Sequence, residues 1–299
     1  SLDPEVAHDL AIKSLKFNFI PESFFQVPGE EILETTFLGS KLKNPIGLAA
    51  GFDKSAEVYN SLYKFGFGFV EAGTVTPRKQ LGNPKPRMFR LERDKALINR
   101  LGFNNDGLDI VSKRISSNSP NRMLGINIGP NKDTKNKIDD FSICLLELHS
   151  KAHYITINIS SPNTEGLRDF HEKDSLSKLL ENLTKIKKSK KIKKPLLLKI
   201  SPDINSKDIS QINELIFKYN LDGIILSNTT DNNRDNLEDV RKNEKGGLSG
   251  LPLKDISTEI IKKFYKETKG KVPIVGVGGI DSGKSAFEKI AAGADVVQL

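Results

Sequence analysis

Cysteine occurs once in this 299-residue sequence, as Cys144, so an intramolecular disulfide and a cysteine-rich metal cluster are both excluded. A reducing compartment fits that usage, and the apolar setting FSICLLEL makes Cys144 a core side chain. Histidine is scarce too: His8, His149, His153 and His171 lie off the ends of the apolar runs, so the clustered ligands of a zinc hydrolase are missing and no metal site is expected. No apolar run approaches the roughly 20 residues of a membrane-spanning helix, and no signal-peptide pattern opens the chain. The opening Ser1-Leu2-Asp3-Pro4 carries no Met, so the true amino terminus is expected to be missing, along with any targeting segment.

Positive charge is plentiful. The formal net charge is +8, and such a field attracts nucleic acid, anionic lipid or an acidic ligand without choosing among them. The densest basic run, KIKKSKKIKK at 185–194, has no interleaved aromatic on which a base could stack. It reads as a solvated helix end and loop, and no nucleic-acid partner is expected.

From residue 44 onward, short apolar runs alternate with longer amphipathic segments. Strands are expected at 44–51, 67–76, 122–129, 154–160, 195–200, 223–229, 273–280 and 294–299. Runs apolar on both alternating faces indicate strands covered on both sides, and SAEVYNSLYKFG, DSLSKLLENLTKIKK, SQINELIFKYN and SGKSAFEKIAAG suit crossover helices. Eight such units predict a closed (β/α)8 barrel, a TIM barrel over 37–299, with an open doubly wound sheet as the competing fold. Residues 1–36 stand outside the alternation. Asp3-Pro4-Glu5 is a helix start, and Val6, Leu10, Leu15, Phe17, Phe19, Ile20, Phe24 and Phe25 predict a small apolar helical lobe seated on the barrel. The chain stops at Leu299 on the eighth strand without its helix, so truncation at both ends is expected.

In a barrel of this kind the active site lies at the carboxyl ends of the strands. Those ends carry Ala50-Gly51-Phe52-Asp53-Lys54, Thr74, Asn127, the stretch Asn158 to Asn163, Lys199, Ser227-Asn228-Thr229 and Gly278-Gly279. Amides and hydroxyls with two lysines suit a planar anionic heterocycle and a phosphate, which is how barrels hold flavin mononucleotide. GVGGIDSG at 276–283 follows the seventh strand, where barrels place phosphate sites, with Asp281 or Ser282 as helix cap. The long polar loop before GGLSGLP could cover a ligand, and Gly250 is a second candidate backbone contact to the phosphate.

AAGFDK, EAGTVTPR, GNPKPRMFRL, INRLGFNN, GINIGPNKDT, NISSPNTEGLR, GGLSG and GVGGIDS, in that order, resemble the signatures of the dihydroorotate dehydrogenase family across nearly the whole chain. Soluble members use cysteine as base in the fourth-strand loop, whereas the membrane-associated, quinone-reducing class uses serine. Here that loop is Ser160-Ser161-Pro162-Asn163-Thr164, which is similar to the quinone-reducing class.

The resemblance implies oxidation of (S)-dihydroorotate to orotate in pyrimidine synthesis, with FMN as cofactor and a membrane quinone as electron acceptor. Ser161 would be the catalytic base. Ala50, Gly51, Phe52, Asp53, Lys54, Thr74, Asn127, Asn158, Lys199, Ser227, Gly250 and Gly279 would contact FMN, with Lys199 near flavin N1 and O2. Lys54, Asn99, Arg100, Leu101, Gly102, Phe103, Asn158, Asn163, Asn228 and Thr229 would hold the substrate. His8 and Arg90 would lie near the quinone head group, and the N-terminal lobe would form its tunnel. The resemblance further implies a monomer held peripherally on the cytoplasmic face of a bacterial inner membrane, or alternatively on a mitochondrial inner membrane. The chain stops short of the family's last flavin-phosphate contacts, directly after the eighth strand. Competing readings are another FMN barrel oxidoreductase acting on a related pyrimidine, and a basic nucleic-acid-binding protein on a decayed barrel. Retention of Lys54, Asn127, Ser161 and Lys199 disfavours decay.

Overall fold

The computed structural model describes residues 2–17, Pro21 and 30–299. Helix α1 (Pro4–Lys16) starts as its sequence dictates: the Asp3 carboxylate accepts the backbone N–H groups of Glu5 and Val6 at 2.9 and 3.1 Å, and Pro4 occupies the first turn. The helix docks through Ile12, buried in the main core, and Leu15, which packs against it. Ser61 Oγ donates to the Leu15 carbonyl at 2.9 Å, and the buried Arg87 guanidinium lies 2.7 Å from Glu5 Oε1. Val6 and Leu10 instead share an outer face with Leu2, each about half exposed or more. The expected lobe residues Phe19, Ile20, Phe24 and Phe25 lie outside the described residues.

Strands β1 (Thr35–Phe37) and β2 (Ser40–Leu42) pair as an antiparallel hairpin. The expected lobe boundary at 36/37 therefore runs through β1. Phe37 and Leu42 join Phe69, Met123, Tyr154, Leu197, Ile225, Val275 and Val296 in one apolar cluster that plugs the amino-terminal end of the barrel.

The chain then runs through β3 (Ile46–Leu48), α2 (Tyr59–Leu62), β4 (Phe69–Val75), β5 (Met88–Leu91), β6 (Ala96–Asn99), α3 (Leu108–Ser117), β7 (Met123–Ile128), α4 (Lys137–Leu148), β8 (Tyr154–Asn158), α5 (Lys173–Ser189) and β9 (Leu196–Lys199). It continues with α6 (Ser206–Lys218), β10 (Gly223–Leu226), β11 (Gly247–Gly250), α7 (Lys254–Thr268), β12 (Ile274–Val277), α8 (Gly283–Ala291) and β13 (Val296–Gln298). Strands β3, β4, β7, β8, β9, β10, β12 and β13 form a closed parallel barrel. All eight expected strands are in it. Pairing of Val297 with Ile46 and Gln298 with Gly47 closes the ring and excludes the open sheet.

Helices α4 to α8 bury one apolar face each against the barrel, Cys144 among those side chains. The lysine run ends α5, where Lys188 and Lys190 are exposed and Lys187 pairs with Asp222 at 2.8 Å. The segment expected as a first crossover helix breaks into α2 and a 3-10 turn that ends at Gly66, whose φ of 91° few other residues adopt.

A second sheet, absent from the sequence reading, joins β5, β6 and β11 in antiparallel register over the barrel mouth. Alternation divides it. Phe89, Leu91, Ala96, Ile98 and Leu248 form a separate apolar core with Leu237, while Met88, Leu97, Asn99 and Ser249 face the cavity below.

Candidate active site

The carboxyl ends of the barrel strands and the covering sheet enclose a cavity of about 610 Å³, within the range of cofactor and substrate sites. Its floor is polar and interlocked. Glu71, fully buried on β4, accepts from Asn127 Nδ2 at 2.8 Å, Tyr154 OH at 3.0 Å, Thr156 Oγ1 at 3.1 Å and Gln298 Nε2 at 3.2 Å. Above it, Asn127 Oδ1 accepts from Thr74 Oγ1 at 2.7 Å and from Asn158 Nδ2 at 3.0 Å. All of these buried groups but Gln298 Oε1 find partners among the described residues, as burial requires.

Asn158 is saturated by its neighbours. Its amide N–H groups reach Thr74 and Asn127, and its oxygen accepts from the Ser160 N–H at 3.1 Å and Ser160 Oγ at 2.7 Å. Ser160 Oγ also accepts from Asn228 Nδ2 at 2.8 Å, so this fully buried hydroxyl is a structural tie between β8 and the β10 loop. Ser161 differs. It lines the cavity and its Oγ accepts only the Asn163 N–H, at 3.2 Å. Because β8 ends at Asn158, turn geometry separates the two serines.

Lys199 ends β9 beside Asn158, its register partner on β8. It lines the cavity, and its ammonium has no hydrogen-bond partner among the described residues. Burial lowers its pKa, opposed by the Glu71 carboxylate. Burial likewise pushes Lys54 down to about 8, although Glu5 and Asp9 pull the other way. His8, brought in by α1, sits at Nε2 2.7 Å from the Phe52 carbonyl, with its ring edge-on to Phe52. That carbonyl can only accept, so Nε2 carries the proton; burial, then Lys54, lowers the His8 pKa.

Ala50, Gly51, Phe52, Lys54, Thr74, Asn158, Lys199, Ser227, Gly250 and Gly279 all line this cavity. So do Asn99, Leu101, Gly102, Phe103, Ser161, Asn163, Asn228, Thr229 and His8. Four expected site residues do not. Asp53 turns away, its carboxylate accepting the N–H groups of Glu57 and Val58 at 2.7 and 2.9 Å, with burial raising its pKa. Asn127 lies one layer down. Arg100 points outward, pairing with Glu244 at 2.7 Å and stacking over Phe89 at 4.5 Å. Arg90 follows Met88 on the same face of β5, the strand against which α1 packs, but does not reach the cavity wall.

The sequence reading passed over Glu71, the buried hub of the floor, because a carboxylate inside an apolar run carries no local signal of its partners. It also passed over Gln298 and Thr164, whose Oε1 and Oγ1 are buried without a hydrogen-bond partner among the described residues.

The donor set fits a flavin and a small anionic heterocycle. Gln298 Oε1 and Lys199 Nζ, on side chains that line the cavity, are an acceptor and a cation without hydrogen-bond partners among the described residues. Asn99 offers a side-chain amide with no partner among the described residues. At the far end, Gly250 (φ 93°) and Gly279 (φ 67°) leave no room for a Cβ, which would fall 2.4 Å from the Lys95 carbonyl oxygen and 2.6 Å from Lys254 Cα. Two such glycines let backbone N–H groups approach a phosphate closely.

Comparison with known proteins agrees with this chemistry. The sequence profile of the family described as Dihydroorotate dehydrogenase matches residues 32–299. A dihydroorotate dehydrogenase (quinone) of Bartonella henselae is 48% identical over 100% of this chain and 83% of its own. The mitochondrial dihydroorotate dehydrogenase (quinone) of Mus musculus is 43% identical over 100% of this chain and 78% of its own. A crystal structure of the Eimeria tenella enzyme in complex with ferulenol superposes with a TM-score of 0.94 at 38% identity, covering 99% of this chain and 85% of that one.

Proposed function

The chain belongs to the dihydroorotate dehydrogenase family, in its quinone-dependent class, and on that premise we propose that it oxidises dihydroorotate to orotate with FMN as its flavin, Ser161 as base and a membrane quinone as final acceptor. The observation that carries this reading is that Ser161 and Lys199 line one cavity above a floor of hydrogen-bonded polar groups that leaves Gln298 Oε1 open. FMN, when bound, would take the hydride leaving C6 of the substrate and pass the electrons on to the quinone.

Ser161 removes the proton from C5. Its hydroxyl accepts one backbone N–H and leaves a lone pair for the substrate C–H. A serine is a weak base, so it depends on a pocket that fixes it and on a route for the proton. Lys199 would hold a bound flavin through its ammonium, and a positive charge fixed on the cavity wall would favour the reduced, anionic state. Lys54 pairs with the substrate carboxylate, and the amides of Asn99, Asn163 and Asn228 address the mixed donor and acceptor edge of the ring.

Residues 1–36 form the quinone lobe in this account and 37–299 the flavin barrel. His8 closes the cavity on the α1 side and Arg90 stands further along β5. Leu2, Val6, Leu10 and Phe17, all exposed, give a peripheral contact to the cytoplasmic face of a bacterial inner membrane for a monomeric enzyme. No helix of the described residues is long and apolar enough to cross a membrane.

The test is acceptor choice. Dihydroorotate should drive reduction of a short-chain ubiquinone and leave NAD+ untouched, and the flavin released by heat should co-chromatograph with FMN. Orotate formation coupled to NAD+ alone, or a released flavin other than FMN, contradicts the proposal.

A further inference from the structure

Lys289 is fully buried on α8, and no carboxylate lies within 4 Å of its ammonium among the described residues. The charged groups that face it are Lys254 and Asp255 at the start of α7 and Glu288 on its own helix; Glu288 is engaged by Lys254 at 2.5 Å. The Lys289 ammonium spends its protons on neutral acceptors: the Lys254 carbonyl at 3.2 Å, Thr258 Oγ1 at 3.1 Å and Ser257 Oγ. A buried cation without an anion is costly. Burial, with Lys254 adding to it, pushes its pKa down to about 8.

The contacts of Ser257 say where this cation is directed. Its hydroxyl accepts from Lys289 and has two acceptors for its one proton: the Lys254 carbonyl at 3.0 Å, which already receives Thr258 Oγ1 and Lys289 Nζ, and the Gly278 carbonyl at 3.1 Å, to which it donates. In a trans peptide unit the C=O and the following N–H point in opposite directions. Holding the Gly278 oxygen against α7 therefore turns the Gly279 N–H the other way, and that N–H has no partner among the described residues. Gly278 and Gly279 both line the cavity, at the glycine end opposite Ser161.

We propose that Lys289 is a positioning residue of the flavin phosphate subsite, aiming the Gly279 N–H through Ser257 and supplying a buried positive charge behind the phosphate. The inference rests on FMN being the flavin. It explains why a lysine, rather than an apolar side chain, crosses from α8 to the first turn of α7.

Flavin-stripped protein titrated with FMN and with riboflavin, which lacks the phosphate, tests it. Lys289→Met should weaken FMN by at least about tenfold, the order expected for loss of a poorly screened charge, and leave riboflavin within about twofold. Ser257→Ala, which keeps the lysine and breaks the relay to Gly278, should lower the same FMN preference by a smaller factor and serves alone if Lys289→Met does not fold. Equal weakening of both flavins, or an unchanged preference, overturns the inference while leaving the cofactor assignment standing. A parent protein that binds riboflavin as tightly as FMN, or binds neither, overturns the cofactor assignment and the inference with it.

Discussion

Two adjacent serines end β8, and their surroundings separate them more sharply than sequence alternation could. Ser160 is consumed by Asn158 and Asn228, whereas Ser161 Oγ accepts one backbone N–H and lies on the cavity wall with no acceptor for its own proton among the described residues. Lys54 gives a residue-scale prediction. Below about pH 8 it is cationic and pairs with the substrate carboxylate; above that pH it is neutral and the attraction is lost. An anion bound beside it raises its pKa, so affinity is greatest on the acid side. KM for dihydroorotate should rise by up to about tenfold per pH unit above the break, and Lys54→Met should raise KM below the break, abolish the break and approach the parent at high pH. A flat KM between pH 7 and 9.5 in the parent contradicts this role.

Helix α1 brings His8 to the cavity and is anchored by the apolar pair Ile12 and Leu15, by Glu5 against Arg87 and Lys85, by Lys16 against Glu57, and by hydrogen bonds to Ser61 and Phe52. Ile12→Ala removes about 2–4 kcal/mol of docking. The variant should reduce its flavin with dihydroorotate at the parental rate yet lose quinone turnover several-fold, with α1 cleaved early in limited proteolysis; equal loss in both half-reactions contradicts the assignment of the lobe. The β1–β2 hairpin is purely structural by comparison. Phe37 packs 6.1 Å from Phe69 at the closed end of the barrel, opposite the site. Phe37→Ala should lower Tm on the order of 10 °C with substrate and flavin affinities intact, since the cavity it leaves costs about 3–5 kcal/mol.

At the scale of the whole molecule, the barrel was legible because most of its strands are buried on both faces and read as mainly apolar runs, as YITIN and LLLK do. The covering sheet was not, since MFRL and ALIN are four-residue strands and GLSG, the second partner of ALIN, lies about 150 residues further along the chain. The rim residues were readable from where apolar runs stop, which is why most of them converge on the cavity. Asp53 and Arg100 were misplaced for a reason no spacing reveals: a carboxylate can cap its own loop, and a guanidinium can turn to a distant Glu244. Lys289 was invisible for the same reason, because an amphipathic helix gives no sign that one of its lysines faces inward.

The central claim is that Ser161 and the flavin act on dihydroorotate in one cavity. The measurement that tests it most directly is the anaerobic bleaching of bound flavin by dihydroorotate, in the parent and in Ser161→Ala. The account predicts rapid bleaching in the parent and bleaching slowed by about 100-fold or more in the variant, with flavin content and substrate affinity unchanged. Equal rates in the two proteins remove Ser161 as the base, and a yellow parent that dihydroorotate fails to bleach contradicts the substrate itself.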